Sequence, residues 1–266
     1  MAVIESLNLS GLALSHSVDK EPLDDDFVLH IHDNLELFCL VHGSVDYIVE
    51  GSLYKLEPGA ILLMRRGETH KLVVKGKTEY ERYVLNFDST LVNQELLTPF
   101  LARPLGEGNL YLKQEFDISP VSFFKKIFKE SSVLGLNESN LISNLSALLL
   151  SVKLAFLSKE RGETKESGIN EIISYINNNL TRYDLSTKEI ADFVHISPSQ
   201  LNRSFKRVMG NTVYDYILSK RLILFNEKVK SGTAVVLASL ECGFNDYSSF
   251  YRLYKKRFGI CPSAIN

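Results

Sequence analysis

A chain of 266 residues, 45% hydrophobic and 23% charged, is long enough to bury two cores and too ordinary in composition for a disordered or fibrous protein. Its formal net charge of −2 conceals two unlike halves: residues 167–266 hold 13 Lys and Arg against 8 Asp and Glu, and residues 1–166 hold 17 against 24. A net-basic C-terminal half suits a polyanion such as nucleic acid, and an acidic N-terminal half should stay off it.

In chain order, residues 1 to about 26 show no clear periodic element, and Asp24-Asp25-Asp26 reads as a solvated loop. From Phe27 to Phe87 the punctuation is that of short strands. Leu35 to Val41, Val45 to Val49, Leu53 to Leu56, Ala60 to Met64, Lys71 to Val74 and Tyr80 to Phe87 are separated by His42-Gly43, Glu50-Gly51, Pro58-Gly59 and Arg66-Gly67-Glu68. Six short strands in so small a space predict a small β-barrel, and Glu50-Gly51 predicts a tight hairpin. A barrel of this size has room for one small ligand. Leu91 to Gly108 is a mixed connection, after which Ser119-Pro120 opens a helix with Phe123, Phe124, Ile127 and Phe128 on its apolar side.

A second helix is expected from about Glu138 to Leu157. Leu141, Leu145, Leu148, Val152 and Ala155 recur there at alternating four- and three-residue steps, the spacing of a coiled-coil seam or of a helix packed on its own barrel. Ser143, Asn144, Ser146, Ser151 and Lys153 interrupt this stretch, which argues against a membrane span. No basic-then-apolar signal opens the sequence, and Cys39, Cys242 and Cys261 form no C-x-x-C pair. Together these predict a cytoplasmic protein with buried, reduced thiols and no membrane partner. The polar stretch Ser158 to Gly168 reads as a linker, which divides the chain into residues 1–157, a linker at 158–168, and residues 169–266.

Beyond the linker the pattern becomes helical and repeats. Ser186-Thr187-Lys188-Glu189 has the form of a capping box, and Ser197-Pro198 that of an N-cap followed by proline at the first helical position. Gly243 is placed to end one helix and Asp246 to cap the next. Leu201, Arg203, Phe205, Lys206, Arg207 and Gly210 correspond to Phe250, Arg252, Tyr254, Lys255, Lys256 and Gly259 at a constant offset of 49 residues. Two helix-turn-helix units joined by a long helix from Val213 to Val229 are therefore expected. On that connecting helix Lys220, Arg221 and Lys228 are candidate phosphate contacts.

Residues 168–265 resemble the DNA-binding domain of the AraC/XylS family of bacterial transcription regulators. The likeness rests on Gly243-Phe244, Phe250, Arg252, Lys255-Lys256, Gly259 and Pro262. Ala238-Ser239 depart from it, standing where the family usually has Ile-Ala. The N-terminal half resembles that family's cupin-type sensor through His30-x-His32-x-x-x-Glu36, Gly43, Pro58-Gly59 and Gly67-Glu68-x-His70. The implied architecture is an α+β two-domain protein. It has a cupin-like β-barrel with dimerisation helices, then an all-α domain with two helix-turn-helix units.

The implied function is that of a ligand-responsive, sequence-specific regulator, an activator in expectation and not an enzyme. Promoter DNA, RNA polymerase, a small-molecule effector such as a sugar, and a second copy of the chain are its expected partners. On the DNA side Ser199, Asn202, Arg203, Lys206, Tyr247, Ser248, Tyr251, Arg252 and Lys255 are the expected contacts, Asn suiting adenine and Arg guanine. In the barrel His30, His32, Glu36, Tyr47, Arg65 and His70 would supply polar contacts to the effector, with Phe38 and Tyr83 as stacking wall. In metal-binding cupins the three histidines and the glutamate converge on a metal. Here they are read as effector contacts, with no metal or other cofactor assigned. The alternatives are a metal-dependent cupin enzyme fused to a DNA anchor, and a regulator controlled by a protein partner.

Overall fold

The computed structural model describes residues 2–22, 27, 29–75, 78–158 and 168–265. Asp24-Asp25-Asp26 and the interior of the polar linker lie outside the described residues. The chain divides into two compact units, with the main break between Lys165 and Glu166.

In the first unit a six-stranded antiparallel sheet, in the order β1 (Ala2–Leu9), β2 (Leu12–Asp19), β8 (Tyr80–Phe87), β3 (Leu35–His42), β6 (Ile61–Met64) and β9 (Leu110–Tyr111), faces a three-stranded one. The smaller sheet has the order β5 (Ser52–Lys55), β4 (Val45–Val49), β7 (His70–Val74). The expected barrel thus takes the form of two opposed sheets, with Phe38, Leu62 and Tyr80 of one meeting Tyr47, Val49 and Leu72 of the other in a shared interior. The expected hairpin at Glu50-Gly51 is present. Both residues have positive φ, 47° and 81°, as a two-residue turn matched to strand twist requires. Glu50 is held there because its buried carboxylate accepts from the Thr69 amide at 2.6 Å and the Thr69 hydroxyl at 2.9 Å.

β1 and β2 correct the reading of residues 1–26 as lacking a periodic element. β1 is a largely exposed edge strand, and the latter half of β2 buries Ser17 and Asp19. These strands are held by pairing with each other and with β8, which leaves little hydrophobic alternation to read.

The outer face of the six-stranded sheet packs on the helices. After the short α1 (Thr98–Leu101), α2 (Pro120–Leu134) contributes Phe124, Ile127 and Phe128 to a core with Leu37, Tyr83 and Leu85. α3 (Glu138–Ser158) contributes Leu141, Leu145, Leu148, Val152 and Ala155 to the same core, each 3% exposed or less. The seam seen in the sequence therefore faces this domain's own core. By length and composition α3 is apolar enough to cross a membrane, so its polar interruptions do not exclude that on their own. Its buried side nonetheless packs within this domain.

A polar network braces the strand ends. Arg103 donates to both oxygens of the buried Glu68, at 2.7 and 2.8 Å, and Gly106 N and Asn109 Nδ2 donate to the same carboxylate. Burial alone would raise the Glu68 carboxyl, but the Arg103 guanidinium and these hydrogen bonds hold it below the usual carboxylate range.

The second unit is helical among the described residues. α4 (Gly168–Asn178) leads into α5 (Thr187–Phe193) and α6 (Pro198–Met209). The long α7 (Val213–Lys230) follows, then α8 (Val235–Glu241) and α9 (Tyr247–Phe258). The N-caps fall where the sequence puts them: Ser186, Ser197 and Asp246 accept from the amides of Glu189, Gln200 and Ser249. Gly210 and Gly259 close α6 and α9 in the left-handed conformation, open to glycine without a Cβ penalty. Phe205 packs edge-on to Tyr216, with ring centroids 5.4 Å apart, and Phe250 meets Phe225 at 4.4 Å. Each recognition helix is thereby anchored to the connector α7.

Candidate DNA-reading face and effector site

With Leu201, Phe205 and Met209 buried on α6, the solvent side carries Ser199, Arg203, Lys206 and Arg207. With Phe250 and Tyr254 buried on α9, its open side carries Ser248, Arg252, Lys255, Lys256 and Arg257. Ser199, Arg203, Lys206, Ser248, Arg252 and Lys255 are all exposed, as a groove-reading surface requires. Asn202, Tyr247 and Tyr251 are partly buried. The Asn202 side-chain oxygen accepts from Val213 N at 3.3 Å, a bond that ties α6 to α7 and competes with a two-point contact to adenine. Tyr247 packs on Phe250, and the Tyr251 hydroxyl lies 3.1 Å from Cys261 Sγ. Each therefore exposes only part of its ring.

The three cations expected to hold phosphates are engaged within the protein. Lys220 is buried, with its amine 5.8 Å from the Tyr216 ring centroid. Arg221 donates to the Leu180 and Arg182 carbonyls at 2.8 and 2.5 Å. Lys228 pairs with Glu241 at 2.6 Å. Periodicity places all three on a basic helix but does not show which way each turns.

In the barrel, strand parity sets the interior. On β3, Glu36, Phe38 and Leu40 face the opposed sheet, and Leu37 and Cys39 face the helices. A backbone bridge joins His30 and His70 by reciprocal hydrogen bonds of 3.0 Å, with their rings 4.1 Å apart. His70 Nδ1 contacts the Glu68 carbonyl at 2.9 Å, and Nε2 lies 3.9 Å from Glu36 Oε1. One ligand atom from each of His30, His32, Glu36 and His70 lies within 4.8 Å of the others. The wall beside them is aromatic: Tyr47 is 6.3 Å from the His70 ring and 4.8 Å from Phe38. Imidazole and carboxylate donors gathered so closely fit a divalent transition ion. The backbone-held His70 Nδ1 is the outer support that metal-ligating histidines commonly have.

Two expected members lie elsewhere. Arg65 is drawn to Glu68, whose Oε2 also accepts from the Arg65 amide at 2.9 Å. Tyr83 faces the helices, stacking on Phe124 at 4.9 Å. Two residues absent from the expected set join the interior instead. Tyr80 belongs to the shared core, and the Arg82 guanidinium lies 4.6 Å from its ring centroid. Pairing of Leu40 with Arg82 puts both on the interior parity, a signal legible only once the β3–β8 register is known. Tyr47 and Tyr80 both have their hydroxyls pushed up, first by burial and further by the Glu36 charge.

A two-sheet sensor followed by two capped recognition helices on one connector defines a DNA-binding regulator with a ligand-binding domain. Residues 19–139 match the family described as the AraC-like ligand binding domain, and residues 190–266 match a helix-turn-helix domain family. The chain belongs to the AraC family of transcription regulators, and it is a ligand-responsive, sequence-specific DNA-binding protein. It is 23% identical over 255 residues to the transcriptional activator RhaS of Mannheimia succiniciproducens, spanning 90% of this chain and 89% of that one. It is 24% identical over 250 residues to LumQ of Photobacterium leiognathi, a probable transcriptional regulator, spanning 91% and 93%. Among solved structures, ToxT of Vibrio cholerae is similar over 96% of both chains, at 13% identity and a TM-score of 0.41.

Proposed function

We propose that this regulator is an activator and not an enzyme. A small molecule in the barrel interior, contacted by His30, His32, Glu36, Tyr47 and His70, would set its affinity for promoter DNA. The convergence of those side chains beside an aromatic wall is the observation that carries this reading. Arg82, on the interior parity, adds a cation suited to an acidic or hydroxyl-rich effector. The activator sense draws on RhaS, whose name states it, and makes RNA polymerase the downstream partner and the cytoplasm the place of action. An effector alters DNA affinity only through its different affinity for two states of the protein. A thermal-shift screen of sugars and small acids on the full chain tests the site. A stabilising compound should lose its effect in His70→Ala and in Tyr47→Phe while DNA binding persists. A compound that works equally on both variants places the effector elsewhere.

Base reading is assigned to Arg203 and Arg252, with Ser199, Lys206, Ser248 and Lys255 around them. Tyr247 and Tyr251 would contribute through their exposed edges, and Asn202 through its amide nitrogen. Arg203→Ala should weaken a selected target by about 1–3 kcal/mol and leave random DNA nearly unaffected. Equal loss on both sequences would make it a phosphate contact only.

The homodimer is assigned to the outer side of α3. Ala147, Leu150, Leu154 and Leu157 are exposed there at alternating three- and four-residue steps, a self-complementary seam one face away from the buried one. Burying this stripe against a second copy accounts for the apolar surplus of α3 without a membrane. Leu150→Asp with Leu154→Asp should give a folded monomer by sedimentation. A dimer that survives both substitutions would overturn the assignment.

A second reading uses the same cluster. His30, His32, Glu36 and His70 would hold a divalent metal, which would supply a Lewis-acidic anchor for a polar effector. Metal analysis of the purified chain separates the readings. About one equivalent of ion, lost in Glu36→Gln, supports the metal, and a metal-free protein that still answers to an organic effector removes it. A cupin enzyme would further need turnover that depends on that ion.

A further inference from the structure

We propose that Arg221 is a positioning residue that locks the two helix-turn-helix units of one chain at a single relative setting, and so fixes the spacing between the two DNA boxes that one subunit reads. Three pieces of chain meet at its guanidinium. Arg221 itself stands on the connector α7. Its Nε donates to the Leu180 carbonyl at 2.8 Å and its Nη2 to the Arg182 carbonyl at 2.5 Å, both in the loop that feeds the first unit. The third piece is Gly243, in the turn of the second unit.

A Cβ on Gly243 would lie 2.9 Å from Arg221 Cζ, 2.9 Å from Arg221 Nη2 and 2.9 Å from the Thr181 carbonyl. The second unit's turn therefore rests directly on the clamp, with no side chain between. The clamp also extends into the first unit. The Arg182 side chain pairs with Asp184 at 3.1 Å and with Glu189 of α5 at 2.6 Å, and the Tyr175 hydroxyl donates to that same Glu189 at 2.7 Å. One contiguous set of contacts thus runs from the turn before α9 to the helix that supports α6.

Exposed ion pairs of this kind contribute little energy, so the value of the arrangement is geometric. A guanidinium holds two carbonyls in a fixed fork, and a lysine amine at the same place would hold one point. Beside the clamp is a cleft of about 270 Å³ lined in part by Tyr183, Tyr214, Leu218, Asn245 and Leu253. It gives the second unit room to shift once the fork is lost. Two recognition helices on a rigid connector bind two boxes with the avidity of a linked pair, and that gain exists only at spacings the linkage allows.

The test uses the full chain and duplexes selected from a random library that contains spacers of several lengths. The wild type should select one box spacing, and one inserted base pair should cost about tenfold or more in affinity. Arg221→Lys should weaken the two-box duplex by about tenfold, change binding to a duplex with the second box scrambled by less than about twofold, and flatten the spacing preference. Arg221→Gln should act in the same direction. A merely structural role would weaken one-box and two-box duplexes alike and lower the melting temperature without altering spacing preference, and that outcome overturns the proposal. If the variants fail to fold, the wild type alone decides, because selection of several spacings with equal affinity is incompatible with a lock.

Discussion

The two helix-turn-helix units share a plan and differ at the turn. Each recognition helix begins on a capping oxygen, Ser197 in one and Asp246 in the other, and ends on a left-handed glycine. Before the cap, the first unit places His195 at φ 55° and the second places Gly243 at φ 84°. One residue separates His195 from its cap, and two separate Gly243 from its own. Both turns have positive φ, but Gly243 is buried and pressed from outside by Arg221 and the Thr181 carbonyl, whereas His195 is exposed. Backbone conformation alone therefore tolerates a histidine, and close approach of another segment is what demands glycine.

The strongest way to break the likeness is through the anchors. Phe205→Ala and Phe250→Ala each remove a buried ring and should each destabilise the C-terminal unit by about 3–5 kcal/mol in denaturant titrations. If the two units form one cooperative block, each variant shifts a single transition. Two separate transitions would show that α7 does not couple them.

Next comes the turn itself. Gly243→Ala should cost roughly 1–3 kcal/mol, since it combines left-handed strain with a backbone clash, whereas His195→Gly should stay within about 1 kcal/mol of wild type. Equal damage at the two positions would show that close approach is not the cause.

The caps give a smaller, pH-dependent contrast. Ser197→Ala should cost about 1 kcal/mol at any pH, because a hydroxyl does not titrate. The Asp246 carboxyl is held below its usual range by the backbone amide of Ser249. Its contribution is complete above the ordinary carboxylate pKa, about 3.9, and is lost as pH falls through the depressed folded value. Melting of wild type against Asp246→Asn should show a difference at neutral pH that vanishes in strong acid. A constant difference at all pH values would mean that charge plays no part in the cap.

The smallest effect concerns the thiols. Burial pushes both Cys39 and Cys242 up to about 12, so at neutral pH a thiol reagent should label the partly buried Cys261 first. Prompt labelling of Cys242 would show that the core of the second unit opens readily.

The helical unit was nearly all legible in the sequence. Its caps, its left-handed glycines and its apolar faces are set by residues within one or two turns of each other. The strands from Leu35 to Phe87 were legible for a similar reason, since turn residues and alternation are local. The interior of the barrel was legible only in part. His30, His32, Glu36 and His70 gather as the motif order implies, with Tyr47 beside them, but Arg65 turns to Glu68 and Tyr83 turns to the helices.

What the sequence by itself determined is the strands from Leu35 to Phe87, the helices from Pro120 on, the duplicated recognition helices and their polarity, because helix and strand periodicity and capping depend on near neighbours; the short α1 and β9 between them carry no such local signal. Only the tertiary structure decided which of two heptad stripes on α3 is buried, how β1 and β2 join β8, that Tyr80 and Arg82 share the barrel interior, and that Arg221 donates to the Leu180 and Arg182 carbonyls. Each of these depends on register or on contacts between residues far apart in the chain. A one-residue shift in strand register, or a rotation of one helix about its axis, leaves local propensity nearly unchanged while it exchanges inside for outside.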